Sequence, residues 1–275
     1  MKIGIFDSGI GGLSVLHRAK KMIPDAQFLY YADEKHVPYG EKTEEEIRGF
    51  VGEILHFLIE QDVDAIVIAC NTATSVATKA FREQFPVPIV GMEPAVKKAV
   101  ERFQDTDKRI LVAATPVTIY GDKLQNLLER VDTEHEADLL PLPMLVRFAE
   151  KGDFENPEID AYLKKELGKF DLEQYAAVVL GCTHFNYFKE HFRRAFPGEI
   201  HFVDGNEGTL RQLIRVLGEA NNPEAAEQCQ ACGYQEEAAV QPSVQYFFSG
   251  EAVDKAEEAQ IEAYLRQLDK MFVID

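Results

Sequence analysis

The sequence predicts an α/β protein built from two similar, doubly wound domains with parallel sheets and an active site in the cleft between them. Short β-branched runs alternate with amphipathic helical patterns, which is typical of parallel sheets covered on both faces. Residues 109–115 restart the pattern of residues 2–8. Each half of the chain also carries one cysteine directly after an apolar run, Cys70 and Cys182.

The first half of the chain shows regular alternation of strands and helices. The clearest helix start is a capping box, in which Thr43 is followed by Glu46. Pro24 ends the helix before it. We expect strands at residues 3–6, 28–32, 65–69 and 87–90, and helices at 13–22, from 44 to about 61, and after Cys70 to about 85.

The second half repeats this order and then returns to the first domain. We expect strands at residues 109–115, 177–181, 200–204 and 244–249, and helices from 209 to about 217 and from 251 to about 271. The candidate link is residues 91–94, and the return follows residues 205–208. The predicted domains are therefore residues 1–94 with 208–275, and residues 95–207. Residues 219–240 show no strand pattern and indicate an irregular or helical excursion.

Composition and charge restrict the functional class. The net charge of -18 argues against a nucleic-acid surface and against an anionic membrane as partner. No apolar stretch approaches the roughly 20 residues that a transmembrane helix needs, and the first residues lack a signal-peptide pattern. We therefore expect a cytoplasmic protein. The 4 cysteines are too few for a disulfide framework in a chain of 275 residues.

The settings of Cys70 and Cys182 predict chemistry rather than packing alone. Each would lie at the carboxyl end of a strand and at a helix N-terminus, which stabilises a thiolate. Two such thiols favour two equivalent groups that face one substrate from opposite sides. A cysteine phosphatase loop is disfavoured, because Val76 and Phe188 stand where its arginine belongs. A thiol protease leaves the second cysteine unexplained, and buried structural cysteines remain the alternative.

A glycine-rich loop, residues 7–12, follows the first strand. Its spacing is not G-x-G-x-x-G and no Gly-Lys-Ser/Thr follows, so a nucleotide cofactor is disfavoured. The glycines either serve only a tight turn or let Ser8 and backbone amides bind a small substrate, while Asp7 orients or accepts from a catalytic thiol. His184 and Glu150 have ordinary alternatives as well, a loop histidine with its bonds satisfied and a solvated carboxylate at a helix end.

A C-x-x-C pair, Cys229 and Cys232, has no second pair of ligands and no strand leading into it. We therefore expect two surface cysteines there, and neither a metal site nor a redox centre.

Five segments resemble the glutamate racemases of the aspartate/glutamate racemase superfamily. They are residues 6–12 (FDSGIGG), 38–40 (PYG), 70–74 (CNTAT), 181–184 (GCTH) and 203–204 (VD). The resemblance runs from residue 3 to about 217. It implies two α/β domains with glutamate between them, and racemisation without a cofactor. The product, D-glutamate, would supply peptidoglycan synthesis and hence the cell wall and cell shape.

The resemblance also implies roles for single residues. Cys70 and Cys182 would be the two acid/base groups, with Glu150 as an assisting carboxylate. Asp7 would assist on the Cys70 side and His184 on the Cys182 side. The oligomeric state stays open, with a homodimer as one candidate. The residues that would line the substrate site are Asp7, Ser8, Tyr39, Gly40, Asn71, Thr72, Thr183 and His184.

The chemistry of racemisation agrees with this arrangement. Inverting a stereocentre needs a base on one face of Cα and an acid on the other, and a thiolate with a thiol can exchange these roles. Preorganised donors must stabilise charge on the carboxylate as the carbanion forms. Candidate donors are Ser8, Asn71, Thr72, Thr74 and Thr183. Racemisation of aspartate or another small amino acid, a thiol redox or acyl-transfer enzyme, and a non-catalytic binding protein remain alternatives.

Overall fold

The computed structural model describes residues 1–92, 95–104, 106–221 and 242–273 and contains two sheets. The elements up to residue 91 are β1 Lys2–Asp7, α1 Leu13–Met22, β2 Gln27–Ala32, α2 Glu44–Glu60, β3 Ala65–Ile68, α3 Asn71–Val76, α4 Lys79–Arg82 and β4 Ile89–Gly91. In the first part of the chain, the glycine-rich loop follows β1 and the Cys70 segment follows β3, as expected.

The remaining elements form the second sheet with its helices and then rejoin the first sheet. The elements from residue 96 to 203 are α5 Val96–Phe103, β5 Arg109–Ala114, α6 Pro116–Tyr120, α7 Asp122–Val131, β6 Ala137–Pro141, α8 Pro143–Glu150, α9 Pro157–Leu167, β7 Tyr175–Leu180, α10 Lys189–Ala195 and β8 His201–Val203. The last ones are α11 Asn206–Asn221, β9 Val244–Phe248, β10 Glu251–Ala252 and α12 Lys255–Phe272.

The two sheets share one strand order. The larger sheet runs β10-β9-β2-β1-β3-β4 and the smaller β6-β5-β7-β8, so β2-β1-β3-β4 recurs in the second half of the chain. The described strand pairs are parallel except β9 with β10. The predicted class, two pseudo-symmetric α/β units with parallel sheets, is confirmed.

Each sheet buries both of its faces, which holds the strand ends in place. Ile5 of β1 and Leu111 of β5 belong to one apolar cluster, which continues from the first sheet to the second. The opposite faces are covered separately, as Phe6 packs in a cluster with the α2 helix and Val112 in one with α5. Burial of each large side chain stabilises the fold by about 1.5–3 kcal/mol. The ends of the central strands are therefore rigid supports for a site.

The helix expected after Cys70 is shorter than predicted and is divided. Helix α3 stops at Val76, and Thr78 caps the new helix α4 through a hydrogen bond from the amide of Phe81. The hydroxyls of Thr74 and Ser75 donate to the backbone carbonyls of Cys70 and Thr72, which weakens a continuous helix.

The C-terminal part also differs from expectation. Ser249 and Gly250 adopt positive φ values of 47° and 89° and form a hairpin turn, so the short strand β10 precedes the last helix. Asp254 caps α12 in a capping box with Glu257, which moves the helix start from residue 251 to 255. Helix α11 begins at Asn206 rather than residue 209.

Some expectations fall on parts of the chain that the structure does not describe. The pair Cys229 and Cys232, most of the 219–240 segment, and residues 93–94 of the candidate link lie outside the described residues. Among the helices of the described ranges, none is both long and apolar enough to cross a membrane.

Candidate active site

Cys70 and Cys182 occupy equivalent places in the two sheets. Cys70 is the second residue after β3, and Cys182 is the second residue after β7. Both strands are third in the shared order, next to β1 and β5 respectively. The two cysteines are 6% and 7% exposed, and both line one cavity. The predicted pairing of the two thiols in one place is therefore present in the structure.

The cavity between the thiols is small and has walls from both halves of the chain. Its volume is about 20 Å³, which is room for about one water molecule. Its lining residues are Ser8, Pro38, Tyr39, Gly40, Glu41, Cys70, Asn71, Thr72, Thr115, Pro116, Pro143, Val146, Cys182 and His184. Within the described ranges, no three His, Cys, Asp or Glu side chains are grouped so that they could hold a metal ion.

Cys70 forms the N-cap of helix α3. Its sulfur accepts the amide hydrogen of Ala73 at 3.3 Å and lies 3.6 Å from the hydroxyl oxygen of Ser8. We expected the helix N-terminus to favour a thiolate, but burial and then the charge of Asp7 raise the pKa of the Cys70 thiol to about 12. That expectation is wrong for Cys70, because one amide hydrogen bond does not offset the loss of hydration.

Cys182 has an imidazole beside it instead of a serine. Nδ1 of His184 lies 3.6 Å from the Cys182 sulfur, and Nε2 forms a hydrogen bond with the carboxylate of Glu150. Burial alone would lower the pKa of His184, but the Glu150 carboxylate and the hydrogen bonds to Cys182 and Glu150 raise it well above its usual value. The histidine is thus held as an imidazolium next to a thiol, an arrangement that stabilises a thiolate.

The glycine-rich loop serves close packing against the second half of the chain. A Cβ on Gly9 would overlap the Glu150 carboxylate, and one on Gly11 would lie 2.5 Å from Nδ1 of His184. The amide of Ile10 donates to Glu150 at 3.1 Å. The glycines therefore allow the loop backbone to approach the His184–Glu150 pair and hold it in place.

Asp7 lies beneath the cavity rather than in its wall. The side chain is fully buried and accepts hydrogen bonds from the amide of Gly9 and the hydroxyl of Thr183, each at 3.1 Å. Burial raises the pKa of Asp7 to about 6, although His184 opposes the shift. The structure gives Asp7 no hydrogen bond to either thiol, so the expected direct contact with a catalytic thiol is absent.

Three other predicted residues differ from expectation. Thr183 is one of them, because its hydroxyl donates to Asp7 and the residue is absent from the cavity wall. Thr74 is missing from the cavity wall, because its hydroxyl donates to the backbone carbonyls of Cys70 at 2.9 Å and Ile68 at 3.3 Å. Tyr39 lines the cavity, but its hydroxyl donates to Asp33 at 2.6 Å. The ring of Tyr39 therefore shapes the wall while its hydroxyl anchors the loop.

The sequence reasoning missed Thr115 and Thr118, whose hydroxyls lie close to that of the predicted Thr72. Thr115 lines the cavity, and its hydroxyl oxygen lies 2.9 Å from that of Thr72 and 3.1 Å from that of Thr118. Thr115 follows β5 as Ser8 follows β1, so the repeat itself contained the signal. These hydroxyls connect the first sheet's half of the site to the second's.

The doubled α/β fold and the paired strand-end thiols define a candidate enzyme that acts on a small substrate between its two halves. The chain belongs to the Asp/Glu/Hydantoin racemase family, whose model matches residues 13–213.

Known proteins of this family are similar to the chain over its whole length. A glutamate racemase of Campylobacter curvus (strain 525.92) is 49% identical over 279 aligned residues, covering 100% of each chain. A solved structure of glutamate racemase from Campylobacter jejuni has a TM-score of 0.77 at 26% identity, covering 97% of this chain and 98% of that one. An Escherichia coli glutamate racemase, solved in complex with L-glutamate and the activator UDP-MurNAc-Ala, has a TM-score of 0.75 at 27% identity, covering 97% and 94%.

Proposed function

We propose that this protein is an isomerase that interconverts L-glutamate and D-glutamate without a cofactor, by proton transfer at Cα between two cysteines. The observation that carries the proposal is the placement of Cys70 and Cys182 at equivalent strand ends around one cavity. The similarity to glutamate racemases at 49% identity supports glutamate as the substrate. D-glutamate would then serve peptidoglycan synthesis in the cytoplasm.

Each of the two thiols would act on one face of the substrate Cα. With L-glutamate bound, the Cys182 thiolate removes the Cα proton and becomes a thiol, and the electron pair moves into the α-carboxylate. Cys70 then gives its proton to the opposite face and becomes a thiolate, so that D-glutamate is released. With D-glutamate the roles reverse. Because the two end states differ by one proton exchanged between the sulfurs, the enzyme must return that proton before the next turnover in the same direction.

The unequal surroundings of the thiols suit this division. The imidazolium of His184 lies beside Cys182, whereas burial and the nearby charge of Asp7 favour the protonated thiol at Cys70. With L-glutamate, Cys182 would therefore act as the base and Cys70 as the acid. For the reverse direction, the positive α-ammonium of D-glutamate would offset the cost of a buried thiolate at Cys70.

The polar wall of the cavity supplies the donors. The hydroxyls of Ser8, Thr72 and Thr115 and the amides at the start of α3 would bind the carboxylates without an arginine. Ligand pockets usually measure about 300–1,000 Å³, so we infer that the walls move apart to admit substrate and close again. The two proposed domains, residues 1–94 with 208–275 and residues 95–207, would supply the opposite walls.

Exchange with solvent deuterium tests the proposal. The purified protein, freed of pyridoxal phosphate and of metal by dialysis, is incubated in D₂O with L- and D-forms of glutamate, aspartate and alanine. We expect deuterium at Cα and formation of the opposite enantiomer with glutamate. Absence of both with glutamate would contradict the function. Equal turnover of aspartate would contradict the substrate assignment but not the class of reaction.

A further inference from the structure

A second cavity lies next to Glu150 and shares no lining residue with the cavity between the thiols. Its volume is about 410 Å³. Its wall combines Glu34, which follows β2, with Glu150 at the end of α8 and Tyr264 of α12. Glu150 therefore connects this cavity to the site between the thiols, because its carboxylate also forms a hydrogen bond with His184.

Two carboxyl oxygens in this region have no hydrogen-bond partner among the described residues. Oε1 of Glu150 forms hydrogen bonds with His184 and with the amide of Ile10, whereas Oε2 is buried without a partner. Oε1 of Glu34 is likewise buried without a partner. Burying a carboxylate oxygen without a hydrogen bond is costly, and two nearby negative charges repel each other. It is therefore unfavourable for Glu34 and Glu150 to be ionised at the same time.

We propose that Glu34 is a positioning residue that acts through Glu150 on the protonation of His184, and so on Cys182; this inference rests on the proposed racemase function. Glu34 is absent from the wall of the cavity between the thiols, so it does not touch substrate there. Its effect on the reaction is electrostatic and passes through the Glu150–His184 pair.

The charges around Glu34 give the effect its sign. Burial and then the charge of Glu150 raise the pKa of Glu34 to about 8. Glu34 is therefore neutral at pH 7 and becomes negative as the medium turns alkaline. A negative charge favours the imidazolium, so the ionisation of Glu34 would help His184 to keep its proton as the pH rises. The other titratable or charged groups that face this position are Asp7, Tyr30, Asp33, Lys35, His184, Glu251, Glu257 and Tyr264.

The variant Glu34→Gln separates the two charge states, because it has the shape of the neutral carboxyl but never ionises. We would measure kcat in both directions between about pH 6 and pH 10. Below about pH 7 the variant and the wild type should coincide. Above about pH 8 the alkaline loss of kcat should begin earlier in the variant, with kcat about fivefold lower at the alkaline end.

Glu251→Gln is the matched control. Glu251 lines the same cavity, but its side chain is 83% exposed, so water and salt screen its charge. This variant should follow the wild type over the whole pH range. Overlapping profiles for Glu34→Gln and wild type, or an equal change in Glu251→Gln, would overturn the inference.

Two spectroscopic measurements separate this inference from the proposed function. In NMR spectra of histidine-labelled protein, the ring of His184 should lose its proton at lower pH in Glu34→Gln than in the wild type. The infrared band of a protonated carboxyl at pH 7 should be lost in Glu34→Gln and kept in Glu251→Gln. A wild type that racemises glutamate, with unchanged spectra in Glu34→Gln, would overturn only the role of Glu34. A wild type without racemase activity would overturn the function.

Discussion

Nδ1 of His184 lies 3.6 Å from the sulfur of Cys182, whereas the sulfur of Cys70 contacts a serine hydroxyl and a backbone amide. The two half-sites are equivalent in strand order but differ in their proton chemistry. A histidine on one side only means that the thiols should respond differently to pH and to mutation. The predictions below can be measured separately for racemisation from L-glutamate and from D-glutamate.

Replacing either thiol should stop racemisation. We expect Cys70→Ser and Cys182→Ser each to lower kcat by at least about a hundredfold, because a serine hydroxyl is a far poorer proton acceptor than a thiolate. Both enantiomers serve as substrates in the assay, and circular dichroism with thermal melting tests the fold.

Serine nearly fills the space of cysteine, so the melting temperature should change little in these variants. The control Thr74→Val removes a hydroxyl from helix α3 that bonds to the backbone and does not line the cavity. It should cost some stability and leave kcat much closer to that of the wild type. A single cysteine variant with nearly wild-type turnover would disprove the two-thiol mechanism.

The helper residues should affect the two directions unequally. His184→Asn removes the imidazolium beside Cys182, so kcat from L-glutamate should fall by about ten- to a hundredfold and more than kcat from D-glutamate. Asp7→Asn should also affect the two directions unequally, because the charge of Asp7 favours the protonated thiol at Cys70 that turnover from L-glutamate requires.

The equilibrium constant between enantiomers is one, so kcat/KM must change equally in both directions for any variant. The bias therefore appears in kcat and KM separately, and full progress curves from each enantiomer give both. Equal changes of kcat in both directions for His184→Asn and for Asp7→Asn would remove the assignment of separate helpers.

The sequence was sufficient for the fold class and for the two thiols, because both depend on local periodicity and on a repeat. Periodicity predicted most of the strands but missed β6 and β10. It also did not predict that β9 would pair in parallel with β2, since strand pairing is set by long-range packing. The break between α3 and α4 was missed because hydroxyl side chains inside a helical pattern look compatible with a helix until their backbone bonds are seen.

The site was predicted in its residues more than in its electrostatics. Ser8 and His184 line the cavity as the motifs suggested, but Asp7 does not, and the thiol of Cys70 is harder to ionise than a helix N-terminus implies. Burial decides this, and burial is a property of the assembled fold. Thr115 was missed because the second half has no glycine-rich loop after its first strand to mark the position.

The loop glycines provide a test that separates activity from stability. In Gly9→Ala the new methyl group would collide with the Glu150 carboxylate, the movable end of a long side chain. We expect Glu150 to shift away from His184, so kcat should fall by about tenfold or more, while unfolding becomes easier by only about 1 kcal/mol.

Gly49→Ala is the control for the loop variant. Gly49 lies in helix α2, and a Cβ there meets nothing within 4 Å. Alanine should therefore leave kcat unchanged and stabilise the helix by about 0.5–1 kcal/mol. Urea denaturation and steady-state kinetics measure both effects. A Gly9→Ala enzyme with wild-type kcat would show that turnover does not depend on the position of Glu150 next to the loop.

Asp7 should make folding stability depend on pH in an identifiable window. Its pKa is raised by burial to about 6, above the value of 3.8 for an unperturbed side chain. The folded protein therefore binds more protons than the unfolded chain between about pH 4 and pH 6, so stability falls as the pH rises through this window. Asp7→Asn cannot ionise. Across this window, the free energy of unfolding of the wild type should therefore fall by up to about 3 kcal/mol more than that of Asp7→Asn.

Urea denaturation at about pH 4 and pH 7 measures this difference, and taking the change between the two pH values for each protein cancels the contribution of the other carboxylates. Asp25→Asn, which removes an exposed carboxylate from the turn after α1, should keep the wild-type pH dependence. If Asp7→Asn also keeps it, Asp7 does not carry a buried charge at neutral pH. The effect of the Asp7 charge on the pKa of Cys70 would then also have to be rejected, because both effects require the same ionised carboxylate.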